Sequence, residues 1–469
     1  MKPASHDFLK RASAAQNDAT LQVALGRLNH DARASRIQVR NRLPEFDILS
    51  DAAVEIKTHS LARLDHYLEE FERNVIALGG KVHWCRNGEE ACEAVLSICR
   101  AHGATSVAKG KSMVSEEIAL NDHLARHDID AVETDLGEYI LQLRGETPSH
   151  IVMPAIHLTQ DGIANTFRDH HATFDAGRSL DEARELTDEA RQALRGTFLS
   201  SEIGITGANF LIAETGSAVI VTNEGNGDLV QTLPPVHVVV TGIEKVIPTA
   251  ADAFTLLRIL ARSATGQEIS CYTTFATGSR RTDDADGPEE FHVVLIDNGR
   301  SDLLAGEFRE ALRCIRCGAC QSVCPVYRSV GGHAYGWVYG GPIGAVLTPA
   351  LIGHEQARDL PEASSFCGAC EEICPVRIPL PALLRRWRER AHRSGLSPIR
   401  SRAALAVWGW LARQPVLYRV AMRWTIGALV AMAGQRGRFH RLPLAGSWTH
   451  SRDLPAPEGG TFIDRWRAT

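Results

Sequence analysis

The chain lacks the sequence features that mark secretion and membrane insertion. Its first residues, MKPASHDFLKRASAAQ, contain no apolar segment of the kind a signal peptide requires. The stretch nearest to a membrane span, residues 416–433, is interrupted by Arg419 and Arg423, and we expect no apolar stretch of the roughly 18 residues needed to cross a bilayer. These absences predict a cytoplasmic protein, with peripheral association at the inner face of the membrane as the alternative.

The chain also lacks the common nucleotide-binding fingerprints. It has no Gly-x-Gly-x-x-Gly pattern, so a flavin or nicotinamide site in this chain is without support. The segment Lys109-Gly-Lys111-Ser112 resembles the end of a phosphate-binding P-loop, but Thr105 stands where that pattern needs glycine. We therefore reject a P-loop. Lys109 and Lys111 either face an anion at a strand-to-helix turn or are solvated loop lysines, which is the more common case.

What the sequence does contain is cysteine, concentrated in two runs. Seven of its eleven cysteines lie between residues 314 and 374. The first run, from Cys314 to Pro325, has the Cys-x2-Cys-x2-Cys-x3-Cys-Pro spacing of bacterial ferredoxins, and the second, from Cys367 to Pro375, repeats its ending. Zinc also binds Cys-x2-Cys pairs, but the ending, present twice, favours iron–sulfur clusters. Cysteines that bind iron must stay reduced, which agrees with a cytosolic compartment.

Two-cluster ferredoxins assign their ligands crosswise, because the fourth cysteine of each run ligates the other cluster. This rule predicts two [4Fe-4S] clusters. Cluster 1 takes Cys314, Cys317, Cys320 and Cys374, and cluster 2 takes Cys324, Cys367 and Cys370.

The second run is one cysteine short. Ser364 precedes Cys367 by three residues, as Cys314 precedes Cys317. A serine oxygen could ligate there, the cluster could lose an iron, the fourth ligand could come from elsewhere, or the corner could stay open. Ser364 could also simply cap a turn before the motif.

Three further cysteines, Cys85, Cys92 and Cys99, recur every seven residues. On a helix, this spacing places two of them about 10 Å apart along the axis, which is too far to share one metal ion. We expect all three to be core residues.

Upstream of the cysteine runs, patterns typical of strands and helices alternate, which predicts an α/β layer with a largely parallel sheet. Apolar residues at helical spacing predict one long amphipathic helix over 50–78, ended by Gly79-Gly80. Ser115 is predicted to cap a helix that runs to His127. The other predicted elements are strands at 81–85, 104–108, 236–241 and 291–297, a β-hairpin at 208–222, helices within 1–48, 88–102 and 135–195, and a polar loop at 278–290.

Three single residues are weak candidates for a role in chemistry. Glu214 and Glu224 lie in neighbouring predicted turns, and one of them could be a catalytic carboxylate, although turn residues that face water are more common. His157 follows a proline-containing segment, and we expect it to be a structural histidine with satisfied hydrogen bonds.

Between the cysteine runs, residues 331–344 contain six glycines together with His333 and three aromatic residues. Glycine lets a backbone approach a neighbouring group closely. The segment therefore predicts either a loop wrapped over a cluster or an interface to a partner.

The carboxyl-terminal part is strongly basic, although the whole chain has a net charge of −5 and gives no general indication of nucleic-acid binding. Residues 377–441 contain fourteen arginines and one acidic residue, Glu389. Such a run is usually a solvated face. At this density we favour contact with an acidic partner subunit or with an anionic membrane surface.

Taken together, the sequence resembles the B-type proteins of the lactate-utilisation iron–sulfur protein family over nearly its whole length. The seven-cysteine pattern matches that family. The motifs that carry the resemblance are Cys314-Ile-Arg-Cys317-Gly-Ala-Cys320, the glycine-rich stretch at 331–349, Ser365-Phe-Cys367-Gly-Ala-Cys370, Asp286-Gly-Pro-Glu-Glu-Phe-His292 with Asp297-Asn-Gly-Arg300, and Trp448-Thr with Arg452-Asp-Leu-Pro.

The resemblance implies a fold of three parts after an N-terminal helical segment. These are an α/β LUD domain of alternating strands and helices, a small α-helical two-[4Fe-4S] ferredoxin-like domain, and an irregular or helical basic tail. The predicted boundaries are 1–48, 49–300, 301–395 and 396–469.

The resemblance also implies an electron-transfer subunit of a complex that oxidises L-lactate to pyruvate, with a cysteine-rich subunit and a second LUD subunit as partners. Two other functions stay open. One is a self-sufficient iron–sulfur enzyme that binds a hydroxy acid at the incompletely ligated second cluster. The other is an iron–sulfur sensor, which would need the arginine-rich tail to bind DNA. No catalytic residue is identified.

Overall fold

Short strands are spread over most of the chain. The structure, a computed structural model, describes residues 1–442, 446–449 and 452–466, without the side chains of 27–33, 447 and 448. Within these residues the strands are β1 (Lys81–Cys85), β2 (Ser106–Lys109), β3 (Asp130–Glu133), β4 (Ile203–Thr206), β5 (Phe210–Ile212), β6 (Ser217–Thr222), β7 (Val236–Gly242), β8 (Val246–Ile247), β9 (Tyr272–Ala276), β10 (Glu290–Ile296), β11 (Arg438–Phe439) and β12 (Leu454–Pro455).

Helices precede, separate and follow these strands. They are α1 (Phe8–Gln16), α2 (Ala19–Asn41), α3 (Phe46–Ala62), α4 (Leu64–Ala77), α5 (Gly88–Ala101), α6 (Met113–Glu117), α7 (Leu120–Ala125), α8 (Leu136–Arg144), α9 (Gln160–His170), α10 (Ala183–Ser200), α11 (Asn226–Thr232), α12 (Ala250–Ala264), α13 (Arg300–Ala305), α14 (Ala319–Val323), α15 (Tyr327–Val330), α16 (Gly341–Ile352), α17 (Ala369–Glu372), α18 (Leu380–Arg393), α19 (Ile399–Ala412), α20 (Pro415–Ala433), α21 (Gly446–Thr449) and α22 (Phe462–Trp466).

A parallel sheet forms the centre of the α/β part, with the strand order β1-β10-β7-β4-β2-β3. Strand β7 is buried along its whole length. Continuous apolar strands are typical of parallel sheets that are covered on both faces. The predicted α/β fold is confirmed.

A second, smaller sheet has the order β8-β5-β6-β9 and contains antiparallel pairs. Strands β5 and β6 form the predicted hairpin, and Gly216 in its turn has a φ of 63°. A Cβ atom at Gly216 would lie 2.7 Å from the backbone nitrogen of Val75, so this turn requires glycine both for its conformation and for its space. The sheet itself was not predicted.

Two predicted helices are wrong in their extent. The helix predicted over 50–78 is divided into α3 and α4, because Arg63 leaves the helical conformation with a φ of −130°. The helix predicted from Ser115 to His127 is also divided, because Ala119 adopts a left-handed conformation with a φ of 55°. Its first part begins two residues earlier than predicted, and Ser112 caps it by accepting a hydrogen bond from the Ser115 N–H group.

The described residues fall into two compact units, Met1–Arg390 and Ala391–Thr469. The larger unit contains both the sheets and the cysteine runs. Its largest apolar cluster combines Phe210 and Ile259 from the α/β part with Tyr335 and Leu383 from the cysteine-rich part. These parts therefore share one core, and the boundaries predicted at 48, 300 and 395 stay predictions.

The predicted core cysteines are confirmed. Cys85, Cys92 and Cys99 are buried in an apolar cluster between α5 and the parallel sheet. Burial raises the pKa of each thiol, to about 11 for Cys85 and Cys92 and to about 12 for Cys99. Protonated thiols in an apolar core behave as small hydrophobic side chains.

The smaller unit contains α19 to α22 and the β11–β12 pair. Among the described residues, the helical stretch Pro415–Arg436 is long enough and apolar enough to cross a membrane by length and composition. The expectation that no apolar stretch reaches the length of a membrane span is therefore wrong. Although Arg419 and Arg423 interrupt the stretch, its mean hydropathy is still high enough for a span. Parts of the predicted tail, residues 443–445, 450–451 and 467–469, lie outside the described residues.

Candidate iron–sulfur centres and an adjacent pocket

The first group of cysteines converges on a small cavity. Cys314, Cys317, Cys320 and Cys374 line one space of about 20 Å³, although Cys374 comes from the other cysteine run. Arg316 and Gly318 both have positive φ values, 60° and 70°, which curl the chain so that three thiols face the same side. These are the residues predicted for cluster 1.

Backbone N–H groups surround the sulfur atoms of this first group. The Arg316 N–H donates to Cys314 Sγ and the Ile378 N–H donates to Cys374 Sγ, each at 3.4 Å. Hydrogen bonds of this kind stabilise negative charge on sulfur and tune the potential of a cluster.

The second group consists of Cys324, Cys367 and Cys370. Cys324 and Cys370 are buried, whereas Cys367 is exposed. Helix α17, which contains Cys370, packs against helix α14, which ends at Cys324. Burial, with a smaller contribution from the neighbouring Cys324 and Cys367, raises the pKa of Cys370 to about 12. The short helix α14 joins the two groups, because it contains Cys320 and ends at Cys324.

The chemistry of these thiols fits a cationic inorganic centre. Burial and the neighbouring Cys374 raise the pKa of Cys317 to about 12, and burial raises the pKa of Cys374 to about 11. A thiolate is the form that binds metal. Clustered, buried thiols deprotonate readily only when positive charge is placed among them, as iron would place it. Cysteine sets at this spacing fit a [4Fe-4S] cluster.

Ser364, the residue in place of the eighth cysteine, takes part in a local turn. Its Oγ accepts a hydrogen bond from the Phe366 N–H group at 3.1 Å, and Phe366 has a φ of 55°. This is the turn-capping contact that serine commonly makes. It gives the hydroxyl a structural role that does not require iron.

The glycine-rich segment 331–344 is buried inside the larger unit. Tyr335 and Tyr339 are fully buried, and Trp337 is nearly so. A Cβ atom at Gly332 would lie 1.6 Å from the Ser149 carbonyl oxygen, so glycine is required for this close approach. The last part of the segment differs from a loop because it opens helix α16 at Gly341.

A buried network of charged residues lies between the first cysteine group and the sheet. Glu244 accepts hydrogen bonds from Arg300 Nε at 2.6 Å and from Arg316 Nη2 at 3.3 Å. Burial alone would raise the pKa of Glu244, but the two guanidinium groups lower it to about 2. Lys57 Nζ donates to the Glu244 carbonyl oxygen at 2.5 Å. The Arg316 guanidinium also lies 4.7 Å from the centre of the Tyr339 ring.

Beside this network is a pocket of about 270 Å³ at the carboxyl ends of β2, β4 and β7. In open α/β sheets, ligands bind at the carboxyl ends of the strands. Residues from both the sheet and the cysteine-rich part line it, including Lys111, Thr222, Thr241, Lys245, Leu260 and Arg316. No sequence pattern predicted this pocket. Two of its lining residues do belong to motifs described above, because Arg316 lies inside the first cysteine motif and Lys111 is one of the two lysines that could face an anion.

The two lysines that were candidates for an anion site, Lys109 and Lys111, both contact protein groups. Lys109 is buried rather than solvated, with Nζ 2.5 Å from Glu133 Oε1 and 3.5 Å from Glu116 Oε1, so the expectation of a solvated lysine is wrong for this residue. Lys111 Nζ donates to the Val152 carbonyl oxygen at 3.2 Å.

His157 is confirmed as a structural histidine, since its ring nitrogens contact Ser149 Oγ at 2.7 Å and Glu146 Oε2 at 2.8 Å. Glu214 accepts a hydrogen bond from the Ala250 N–H group at the start of α12, and Glu224 accepts one from the Leu136 N–H group. These contacts cap helices. Glu224 also lines the rim of the pocket.

Comparison with known proteins agrees with this arrangement. Residues 68–296 match the LUD domain family, and residues 310–378 match the 4Fe-4S dicluster domain family. The chain is 42% identical to "Lactate utilization protein B" of Bacillus licheniformis over 99% of this chain and 97% of that protein. It is 40% identical to the protein of the same name from Bacillus subtilis, over 99% of this chain and 96% of that protein.

A third relative carries a different name. The chain is 42% identical to the "Uncharacterized electron transport protein YkgF" of Escherichia coli over 98% of this chain and 96% of that protein. Full-length identity at this level, together with the LUD and 4Fe-4S dicluster domains, shows that the chain belongs to the lactate utilization protein B family of iron–sulfur proteins.

Proposed function

We propose that this chain is the electron-transfer subunit of a multi-subunit complex that oxidises L-lactate to pyruvate. The observation that carries the proposal is the separation of the seven cysteines into two neighbouring groups, in a chain whose relatives are named for lactate utilization and for electron transport. Two [4Fe-4S] clusters would supply one-electron acceptor and donor chemistry.

The ligand sets that we propose are Cys314, Cys317, Cys320 and Cys374 for cluster 1, and Cys324, Cys367 and Cys370 for cluster 2. Helix α14 contains Cys320 of the first group and ends at Cys324 of the second, so one short helix joins the two groups. The exposed Cys367 gives the second group a face that a redox partner can reach, whereas the cysteines of the first group are buried or half-buried. This difference in exposure supports a path from the interior of the chain to its surface.

The proposed partners are a cysteine-rich subunit and a second LUD subunit. For the smaller unit we propose contact with an anionic membrane surface, supported by exposed tryptophans among arginines in α19 and α20. An acidic partner subunit is the other candidate for this surface.

The test uses the iron-loaded chain with and without its co-expressed partners. We expect L-lactate to reduce the clusters, seen as an EPR signal, only when the partners are present. Reduction by L-lactate in the isolated chain would contradict the proposal and favour a self-sufficient enzyme. No reduction even in the full assembly would contradict both.

A further inference from the structure

The pocket at the carboxyl ends of β2, β4 and β7 has an excess of buried positive charge on one side. Within the described residues, the charged network beside it contains four basic and two acidic side chains. The basic residues are Lys57, Lys245, Arg300 and Arg316, and the acidic residues are Glu117 and Glu244. The residues of this network are at least nine-tenths buried. Arg300 pairs with both carboxylates and Arg316 shares Glu244 with it, whereas Lys245 forms no ion pair among the described residues, so the four cations outnumber the two carboxylates.

Polar atoms at the pocket wall also lack partners within the described part of the chain. Arg316 Nη1, Thr241 Oγ1 and Thr222 Oγ1 are buried and make no hydrogen bond. Lys245 is buried and lies close enough to Arg316 to feel its like charge, so a negative neighbour would stabilise this ammonium group. A buried donor left unpaired costs free energy, and a ligand that accepts hydrogen bonds here would therefore be stabilised.

Charge balance for the first cysteine group explains only part of this arrangement. Arg316 and Lys245 lie close enough to Cys314 for their charges to interact, and cluster thiolates would use that positive charge. Neither the unpaired hydroxyls of Thr222 and Thr241 nor an open space of about 270 Å³ is needed for that purpose. Both observations indicate a separate molecule in the pocket.

The lining restricts what that molecule can be. Ile151, Ile220, Val240, Leu260 and Ala264 supply apolar surface, which suits a short carbon chain. The cations select a negative group, and the hydroxyls select a neighbouring oxygen. Asn223 and Glu224 are exposed, whereas Lys245 and the Arg316 side chain are buried, so one carboxylate lies at the entrance of the pocket and the two cations lie at its inner end.

We propose that this pocket binds a small 2-hydroxy or 2-oxo carboxylate, with Arg316 and Lys245 contacting its carboxylate and Thr241 contacting its second oxygen. The inference rests on the proposed function for its ligand class, but its site is in the α/β part, against the first cysteine group. Binding of an anion between Arg316 and Lys245 should also be felt by the first cluster, because both side chains carry their charges close to Cys314. By linkage, reduction of that cluster should weaken binding.

Calorimetric titration of the iron-loaded full chain, under anaerobic conditions, tests this inference. The probes are L-lactate, pyruvate, acetate and inorganic phosphate. We expect L-lactate or pyruvate to bind, acetate to bind more weakly because it lacks the second oxygen, and phosphate to bind no more tightly than acetate. A preference for phosphate, or no binding of any carboxylate, would overturn the inference.

Two variants and one control locate the site. Lys245→Met should weaken binding of both L-lactate and acetate by about 10-fold to 100-fold, the range for losing a charged hydrogen bond. Thr241→Val replaces an unpaired hydroxyl by a methyl group of the same shape, so the variant should fold normally. It should weaken the binding of L-lactate and pyruvate and leave the binding of acetate unchanged. Lys10→Met, an exposed lysine of the larger unit, should change neither affinity. Unchanged affinities in both pocket variants would overturn the inference.

EPR spectra of the reduced chain give a second readout. A saturating carboxylate should shift the signal of the cluster that Cys314→Ser removes and leave the other signal unchanged. The same variants, assembled with the partners, separate the two proposals. Binding without lactate-dependent reduction contradicts only the proposed function, and unchanged carboxylate affinities in both pocket variants, with lactate-dependent reduction intact, contradict only the pocket.

Discussion

The Arg300 guanidinium donates two parallel hydrogen bonds to the Glu117 carboxylate, from Nη1 to Oε1 at 2.9 Å and from Nη2 to Oε2 at 2.8 Å. Tyr339 of the glycine-rich segment donates its hydroxyl hydrogen to the same carboxylate at 2.6 Å. One buried ion pair thus joins helix α6, the start of α13 and the segment between the two cysteine runs.

Arg300→Met should lower the free energy of unfolding by about 3–5 kcal/mol, because it leaves buried carboxylates without a counter-charge. Urea denaturation of the iron-loaded chain measures this. Arg191→Met is the matched control, since Arg191 is exposed and pairs with Asp188 on the surface. This substitution should change the free energy of unfolding by no more than about 0.5 kcal/mol. Equal effects of the two substitutions would contradict the structural role given to Arg300.

The proposed ligand sets make a prediction about metal content. Anaerobic reconstitution should give about eight irons and eight sulfides per chain, as two cubanes require. Cys314→Ser and Cys374→Ser, sixty residues apart, should remove the same EPR signal, and Cys370→Ser should remove the other. Loss of different signals in the first two variants would show that the crossed assignment is wrong, and zinc in place of iron would overturn the cofactor.

Ser364 can be tested separately as a fourth ligand. Its hydroxyl already accepts the Phe366 N–H hydrogen, so we expect Ser364→Ala to leave the iron content and both midpoint potentials unchanged. Ser364→Cys should add a thiolate at the same position and change the potential of the second cluster, since potentials respond to ligand type. Iron loss in the alanine variant, measured by potentiometric EPR and metal analysis, would make the serine a ligand.

His237 predicts a pH dependence of stability. It is fully buried in β7, its Nε2 contacts Thr206 Oγ1 at 2.7 Å, and burial lowers its pKa from 6.5 to about 3. The unfolded chain therefore binds a proton below about pH 6.5 that the folded chain does not, so stability falls as the pH decreases from about 6.5 towards 3.

His237→Gln should flatten this dependence between pH 7 and pH 5, about the range in which an unfolded histidine takes up its proton. Thermal unfolding at a series of pH values measures it. His170→Gln, at an exposed position, is the control and should leave the slope of the wild-type protein. An unchanged slope in the His237 variant would show that other groups dominate.

The smaller unit should bind anionic membranes. Trp408, Trp410 and Trp424 are each more than half exposed, and arginines surround them in the sequence. The full chain should therefore sediment with phosphatidylglycerol vesicles at low salt and less at high salt. Neutral phosphatidylcholine vesicles should retain little of it.

Trp410→Ser with Trp424→Ser should weaken this binding further at high salt, where the apolar contribution dominates. Trp84→Ser changes an exposed tryptophan of the larger unit and should have no effect. If neither type of vesicle retains the wild-type chain, the basic surface is better explained by an acidic partner subunit.

The sequence was informative wherever a local pattern decides the structure. The strand near Lys81, the hairpin around Gly216 and the buried strand β7 follow from alternation, turn chemistry and apolar runs. The cysteine spacing likewise indicates a cluster site at Cys314, Cys317 and Cys320, because three ligands at this spacing lie within a few residues. The assignment of Cys374 to the same cluster comes from the crossing rule, and it stays a prediction.

The parts that could not be predicted depend on contacts between distant residues. The break at Arg63 and the left-handed Ala119 are changes of backbone conformation at single residues, which helical periodicity does not record. Lys109 looked like a loop lysine because Glu133, its partner, is 24 residues away. The pocket was missed for the same reason, since Lys111, Lys245 and Arg316 come from separate parts of the chain.

The meeting of Cys314 and Cys374 in one cavity has a consequence for how the protein is made. During synthesis, three thiols of the first group leave the ribosome well before Cys374 does, so the four-thiol cavity does not exist while the chain is still growing through residues 315–373. Under our ligand assignment, the machinery that delivers iron and sulfide must wait for the second run to be translated. A nascent chain stalled in this interval would expose reactive thiols that the finished protein covers.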